Sequence, residues 1–167
     1  MQTVSTAMES PIGRLQLVTR GDTLCALEFA DQRRGGKDTA ASAKAAAPLV
    51  RRLRAYFDGD LQALNGIAVE PEGTAFERRV WRALLQVRPG QTVTYGELAR
   101  RAGAAGAARA VGGACGRNPI AVVIPCHRVV GADGSLTGYG GGIERKRWLL
   151  RHEAVPQLQL GVLNTKG

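Results

Sequence analysis

Asn118-Pro119-Ile120-Ala121-Val122-Val123-Ile124-Pro125-Cys126-His127-Arg128 is the stretch around which this chain reads as organised. Its five consecutive apolar residues, rich in Val and Ile, suit a short buried strand or extended segment better than a helix. Pro125 stops the run, because it has no N–H to give a ladder and fixes its own φ. Cys126 is thereby held at the edge of a core, with His127 beside it. Two readings follow. Cys126 is one more buried thiol, cysteine being among the most buried residue types, or it is a nucleophile with its base adjacent. The dipeptide alone does not separate them, and the residues around it have to.

The chain has 167 residues, 44% hydrophobic and 22% charged, enough for one domain or two small ones with a sizeable core. No apolar stretch approaches the roughly 18 residues of a membrane helix, and the N-terminus lacks a basic start followed by a hydrophobic segment. An intracellular, cytoplasmic protein is expected, with no membrane partner. The three cysteines, Cys25, Cys115 and Cys126, are odd in number and contain no Cys-x-x-Cys pair, so free thiols are expected in a reducing cytosol. A metal site from Cys115, Cys126 and His127 lacks a fourth ligand; no metal and no cofactor are expected.

The formal charge is +9, and its placement matters more than its size. Residues 1–70 carry nine Lys/Arg against eight Asp/Glu, whereas residues 71–167 carry fourteen against six. Nearly all the excess lies in the half that holds Cys126. Such a concentration is the footprint of a polyanion partner, most simply nucleic acid, or else a solvated basic face.

Outward from that stretch, Ser10-Pro11-Ile12-Gly13 reads as a turn, and Leu15, Leu17, Leu24, Leu27 and Phe29 flank Gly21-Asp22 as a hairpin. Residues 30–47 read as loop running into an uncertain helical stretch. Pro48 suits the first turn of a helix whose inner face is Leu49, Val50, Leu53, Tyr56 and Phe57, with Gly59 as its stop. Residues 1–70 are expected to form a small α+β domain in which Cys25 is core. Glu70-Pro71-Glu72-Gly73 is the boundary, 71–154 a second domain and 155–167 a tail.

Thr74-Ala75-Phe76-Glu77 has capping-box spacing. The helix it opens places Phe76, Val80, Trp81, Leu84 and Leu85 on one face and ends at Arg88-Pro89-Gly90. Thr94-Tyr95-Gly96-Glu97 repeats the spacing, with Leu98 and Ala99 inward and Gly103 as the C′ residue. Residues 106–115 begin another helix. Two short helices joined by a glycine-containing turn in the basic half have the form of a helix-turn-helix. The second is oddly bare: Gly112 and Gly113 each cost about 1 kcal/mol relative to alanine in a helix interior, and Arg109 is its only long charged side chain. So flat a surface implies close approach of another helix or of a ligand. After a turn at 131–134, Thr137-Gly138-Tyr139-Gly140-Gly141-Gly142 reads as a shaped loop, and a last helix runs from about Ile143 to Glu153.

Pro125-Cys126-His127-Arg128-Val129, preceded by Asn118-Pro119, resembles the active-site signature of the O6-alkylguanine-DNA alkyltransferases. Ala108-Arg109-Ala110-Val111-Gly112, Tyr95 and the glycine loop with Tyr139 recur in the expected order. The resemblance implies a ribonuclease H-like N-terminal α/β domain and a mainly helical C-terminal domain. It further implies repair of O6-alkylguanine, and of O4-alkylthymine, in double-stranded DNA approached through the minor groove by a monomer that can cluster on DNA. Cys126 would be the alkyl acceptor, His127 its base through a water, Glu153 the group holding the imidazole, and Tyr95 the residue that rotates the nucleotide out and protonates the departing base. Asn118, Val129, Tyr139 and Gly141 would shape the guanine site. Arg109 would fill the vacated space, and Ala107, Ala110, Gly112, Ala114 and Arg128 would meet DNA. Gly140 stands where relatives often carry a larger side chain, which leaves pocket width open, and the cysteine and histidine cluster of zinc-bearing relatives is missing.

The chemistry needs these residue types. Sulfur attacks an sp3 carbon as thiolate, yet at a pKa near 8.5 only about 3% of a thiol is ionised at pH 7. A histidine anchored by a carboxylate supplies the base, and a tyrosine hydroxyl can protonate the leaving group. The thioether product has no evident route back, so one turnover per molecule is expected. Rival readings are a lesion-binding relative, which would lack Cys126, a helix-turn-helix regulator, which would not need it beside His127, and a thiol hydrolase, which would turn over.

Overall fold

The structure, a computed structural model, describes residues 2–32 and 38–154. The proposed tail, and part of the segment read as a loop, lie outside them. The chain divides into two compact units: Met1–Glu72 with Pro119–Val123, and Gly73–Asn118 with Ile124–Gly167.

In the first unit β1 (Val4–Met8), β2 (Leu15–Arg20) and β3 (Thr23–Phe29) form an antiparallel meander in the order β1-β2-β3. The hairpin falls at Gly21-Asp22 as the pattern of leucines predicts, and Leu15, Leu17, Leu24 and Leu27 are all but sealed from solvent. Each such side chain contributes about 1.5–3 kcal/mol. The free edge of β3 is covered by two short segments: Leu24 exchanges bonds with Ala68 and Glu70 (2.9 Å each), and Leu27 with Pro119 (2.9 Å) and Ala121 (3.0 Å). An edge so paired cannot recruit another strand. Cys25, expected in the core, is only half-buried, since alternation turns it away from Leu24.

Helix α1 (Ala40–Phe57) starts eight residues before Pro48, which lies inside it and not in its first turn. The reason is a better N-cap upstream. Thr39 accepts from the Ser42 amide (3.0 Å) while Ser42 accepts from the Thr39 amide (2.8 Å). The alanine-rich stretch then carries the helix through the proline. The expected face of Leu49, Val50, Leu53, Tyr56 and Phe57 is buried.

The second unit is mainly helical: α2 (Ala75–Leu84), α3 (Tyr95–Arg101), α4 (Ala108–Gly116) and α5 (Ile143–His152), with a two-residue parallel pair, β4 (Val93–Thr94) and β5 (Val129–Val130). The α2 capping box forms as its spacing predicts. Leu85, expected on its apolar face, is exposed because the helix has ended by then, well before Arg88-Pro89-Gly90. Trp81 is buried and its indole N–H donates to the Ala114 carbonyl of α4 (2.9 Å). Gly73 permits this placement, since a Cβ there would stand 2.5 Å from the Trp81 ring.

Helix α3 is capped by the Thr94 hydroxyl alone; Glu97 turns outward to Arg100 and Arg101, so only half of the second capping box forms. At its end Gly103 (φ 74°) donates to Arg100 (3.1 Å) and Ala104 to Ala99 (2.8 Å). That is a Schellman motif, with the left-handed residue at the position read from sequence. It turns the chain into α4, and the helix-turn-helix is formed. Among the described residues no helix is long and apolar enough to cross a membrane, and no group of three His, Cys, Asp or Glu could hold a metal ion.

Candidate active site

The apolar run before Cys126 is not a strand. Beyond one bridge at Ile120, the backbone folds through two tight turns in succession. The Val123 amide donates to Ala121 (2.8 Å) around Val122, whose φ is 70°, and the Cys126 amide donates to Ile124 (2.8 Å) around Pro125 at φ −84°, ψ 62°. The second is an inverse γ-turn, which suits proline; the first is the rare positive-φ kind, at a β-branched residue. Such strain costs of order 1–3 kcal/mol and persists only where surroundings enforce it. Periodicity cannot signal it, because the residues are as apolar as those of a buried strand. The Asn118 amide clamps the loop, donating to the Ile124 carbonyl (2.8 Å) and to Cys126 Sγ (3.1 Å).

Cys126 opens a short 3-10 turn, Cys126–Arg128, which sends the next two side chains to one carboxylate at the end of α5. His127 Nε2 lies 2.9 Å from Glu153 Oε2, and the Arg128 guanidinium grips Glu153 with two bonds, 2.9 and 2.7 Å, while a third goes to the Val87 carbonyl (2.6 Å). All three are buried. Burial by itself would raise the Glu153 pKa, but the His127 and Arg128 partners outweigh it and hold the carboxyl well below its ordinary range. Burial lowers the pKa of His127 against the opposing pull of Glu153, so the imidazole is neutral at pH 7. A carboxylate can only accept; Nε2 therefore carries the proton and Nδ1 the lone pair. Nδ1 is buried and makes no hydrogen bond to a protein atom among the described residues. The network thus presents a base one residue from the thiol.

Burial raises the Cys126 pKa, opposed by the Asn118 hydrogen bond and the charge of Lys146. The resting group is a thiol in need of that base. Lys146 is fully buried in α5, donates to the Val129 carbonyl (2.5 Å), and is pushed down by burial to about 8, still cationic at pH 7.

The thiol opens onto a cavity of about 270 Å³ lined by Tyr95, Tyr139, Cys115 and Cys126 and by the glycines 112, 116, 138 and 140. Half the lining has no side chain, which leaves a slot between backbones. A Cβ at Gly112 would meet the Tyr95 ring at 3.7 Å, an ordinary contact, so the approach of α4 to α3 does not by itself require a glycine there. The Tyr95 hydroxyl is 2.8 Å from Thr137 Oγ1. Burial raises the Tyr95 pKa, with the Thr137 bond opposing. Burial also pushes Cys115 up to about 12, the neighbouring Cys126 adding to it.

Of the residues read from sequence, Cys126, His127, Glu153, Asn118, Tyr95 and Tyr139 converge here. Four do not serve as expected. Arg128 is buried, with three of its five N–H groups given to Glu153 and Val87; Ala114 is buried with its carbonyl given to Trp81; Val129 is buried, paired with Val93 and with its carbonyl given to Lys146; and Gly141 gives its carbonyl to Arg145 (3.2 Å) instead of lining the cavity. Arg109 and Ala110 are exposed on α4, Ala107 partly so, and Arg109 makes no ion pair among the described residues. Lys146, Thr137 and the pocket wall at Cys115 were missed. Lys146 had a signal: Ile143, Lys146, Leu149 and Leu150 share one helical face.

A base-served thiol at the floor of a slot, in a helical unit that carries a helix-turn-helix, defines a class: a cysteine-dependent protein acting on nucleic acid. Residues 3–71 match the family described as 6-O-methylguanine DNA methyltransferase, ribonuclease-like domain, and residues 75–155 its DNA binding domain. The methylated-DNA–protein-cysteine methyltransferase of Mycolicibacterium paratuberculosis is 49% identical over 87% of this chain and 89% of its own. An O6-methylguanine methyltransferase structure from Mycobacterium tuberculosis superposes with a TM-score of 0.79 at 43% identity, covering 96% and 99% of the two chains. The tuberculosis protein in complex with DNA gives 0.80 at 47% identity, covering 88% and 90%. This chain belongs to the methylated-DNA–protein-cysteine methyltransferase family.

Proposed function

We infer that this protein repairs DNA by transferring an alkyl group from O6 of guanine to Cys126. The observation that carries the reading is the fixed tautomer of His127: Glu153, itself held ionised by Arg128, leaves Nδ1 with its lone pair free on the residue that follows Cys126. A water between Nδ1 and Sγ relays the proton, and Asn118 and Lys146 stabilise the thiolate as it forms. Sulfur takes the alkyl carbon, the C–O6 bond breaks, and Tyr95 protonates the purine. The thioether is permanent, so the protein acts once.

DNA is the partner, and approach through the minor groove is supported by the small outer residues of α4, Ala107 and Ala110. The target atom is engaged in base pairing, so the nucleotide is extruded at a cost of a few kcal/mol, with Arg109 filling the gap and phosphate contacts offsetting the cost. The second unit holds the chemistry and the DNA contacts. O4-alkylthymine, presenting an alkyl group on the equivalent exocyclic oxygen, is a second substrate. The protein works as a monomer in the cytoplasm, at the nucleoid. The test is intact-mass analysis after incubation with O6-methylguanine duplex: one added methyl group per chain, mapped to Cys126, with release of unmodified guanine in DNA. Continued turnover, or label on Cys25 or Cys115, overturns it.

A further inference from the structure

Thr137 has no part in the chemistry above, yet among the described residues its hydroxyl is the one protein group within hydrogen-bond distance of the Tyr95 hydroxyl, at 2.8 Å. It lies on the glycine loop, one residue before Gly138 and two before Tyr139, both of which line the cavity with Tyr95 and Cys126. The contact therefore ties the first residue of α3 to the loop on the far side of the slot, across 42 positions of sequence. A threonine hydroxyl can both donate and accept, and its rotor is free to reverse.

We propose that Thr137 is a positioning residue for Tyr95, holding the phenol toward the purine and donating to its oxygen as its proton leaves. The inference rests on the alkyl-transfer reading. Its balance is as follows. The Cys126 thiol proton passes to His127, the S–C bond forms, and the electron pair of the broken C–O6 bond stays on the purine. The purine takes the Tyr95 proton, and the phenolate left behind recovers one from solvent as His127 returns to neutral. At the moment of transfer the Tyr95 oxygen gains negative charge inside a cavity where burial disfavours it. A hydroxyl already 2.8 Å away can turn its hydrogen to that oxygen without reorganising the site. Glycines at 138 and 140 offer no side-chain donor, so no other residue of the loop segment lining the slot is equipped to replace it, apart from Tyr139.

The experiment measures single-turnover methyl transfer from O6-methylguanine duplex, and the near-ultraviolet absorbance titration of tyrosine, in Thr137→Val, Thr137→Ser and Thr137→Ala, each alone and with Tyr95→Phe. Thr137→Val and Thr137→Ala are expected to slow transfer roughly ten-fold, the worth of one hydrogen bond, and to raise the phenol titration that Tyr95→Phe removes. Thr137→Ser should restore both. In the Tyr95→Phe background the Thr137 substitutions should have no further effect. A rate in Thr137→Val equal to wild type, a loss that adds to that of Tyr95→Phe, or an unmoved Tyr95 titration each overturns the proposal. Thr137→Ser as slow as Thr137→Val assigns the residue to loop packing and overturns it too. Failure of the wild-type protein to take methyl on Cys126 would instead sink the transfer reading on which it rests.

Discussion

The two units bury polar groups in different ways. Among the described residues the first hides only neutral ones, Thr6, Gln16, Thr19 and Ser42, while the second hides Glu77, His127, Arg128, Lys146 and Glu153. Taking charges out of water costs several kcal/mol apiece, and even a good buried ion pair is often no more stable than apolar residues of the same shape. The first unit is built as stability alone would build it. The second accepts a costly network, and that network fixes which imidazole nitrogen of His127 carries the proton.

The largest expected effect is on chemistry. Cys126→Ala should abolish methyl uptake while leaving duplex affinity unchanged, because the thiol lies at the floor of the slot and the exposed cations lie elsewhere. Residual uptake, detected by intact mass, would break the assignment of Cys126 as the acceptor.

Next is Arg128→Leu. It leaves Glu153 buried beside a neutral histidine, and unfolding by denaturant should show a loss of about 3–5 kcal/mol together with loss of transfer. A merely surface-bound arginine would leave stability unchanged, and that result would erase the contrast between the units.

Arg109→Ala concerns the outer face of the second unit. If Arg109 fills the gap of an extruded nucleotide, repair of duplex O6-methylguanine should fall much more than reaction with free O6-benzylguanine, which needs no extrusion. Equal losses would rule that role out. A uniform loss of DNA binding, with the salt slope reduced by about one, would make it a phosphate contact instead.

The pH dependence sharpens the comparison further. His127 has a folded pKa below its unfolded value, so below about 6.5 the unfolded chain takes up a proton that the folded one refuses, and stability decreases as the pH is lowered. Glu153 is likewise depressed; its contribution is present above the unfolded value of about 4.3 and is lost as pH falls through the folded one. Lys146, folded at about 8 against 10.5, makes the unfolded chain hold more protons between those values, so stability rises from pH 8 to 10.5. All three act through the second unit; in the first, burial raises the thiol of Cys25. Thermal unfolding followed by Trp81 and Trp148 fluorescence, both in the second unit, should track these windows, and Lys146→Met should flatten the alkaline rise. The smallest effect is in the first unit: Thr39→Ala should cost about 1 kcal/mol by removing the α1 cap and leave the rate of methyl transfer untouched.

How legible all this was depended on the range of the interaction. The hairpin around Gly21-Asp22, the Thr74 capping box, Gly103 as the C′ residue and the buried face of α1 from Leu49 to Phe57 all stood in the sequence, because each is decided by neighbours within a few residues. So did Cys126, His127 and Tyr95 as candidates, through motif and resemblance. Local reasoning misjudged Pro48 and Leu85, where a cap upstream and an early helix end decided. It also took the apolar run before Pro125 for a strand.

Residue type and short-range pattern determined the elements, the excess of charge in residues 71–167 and the pairing of a thiol with a histidine. Only the tertiary structure decided what each charge does. Arg128 looks in sequence like any other arginine of this basic half, and Lys146 shows there only that it shares a face with apolar residues, yet the first clamps Glu153 and the second lies within electrostatic reach of Cys126. The difference arises because α5 brings Glu153 and Lys146 back against the 3-10 turn at Cys126, 17–26 residues earlier in the chain for the hydrogen bonds concerned. The role of a charge depends on its partner and on the water it has lost, and both are properties of the packed fold.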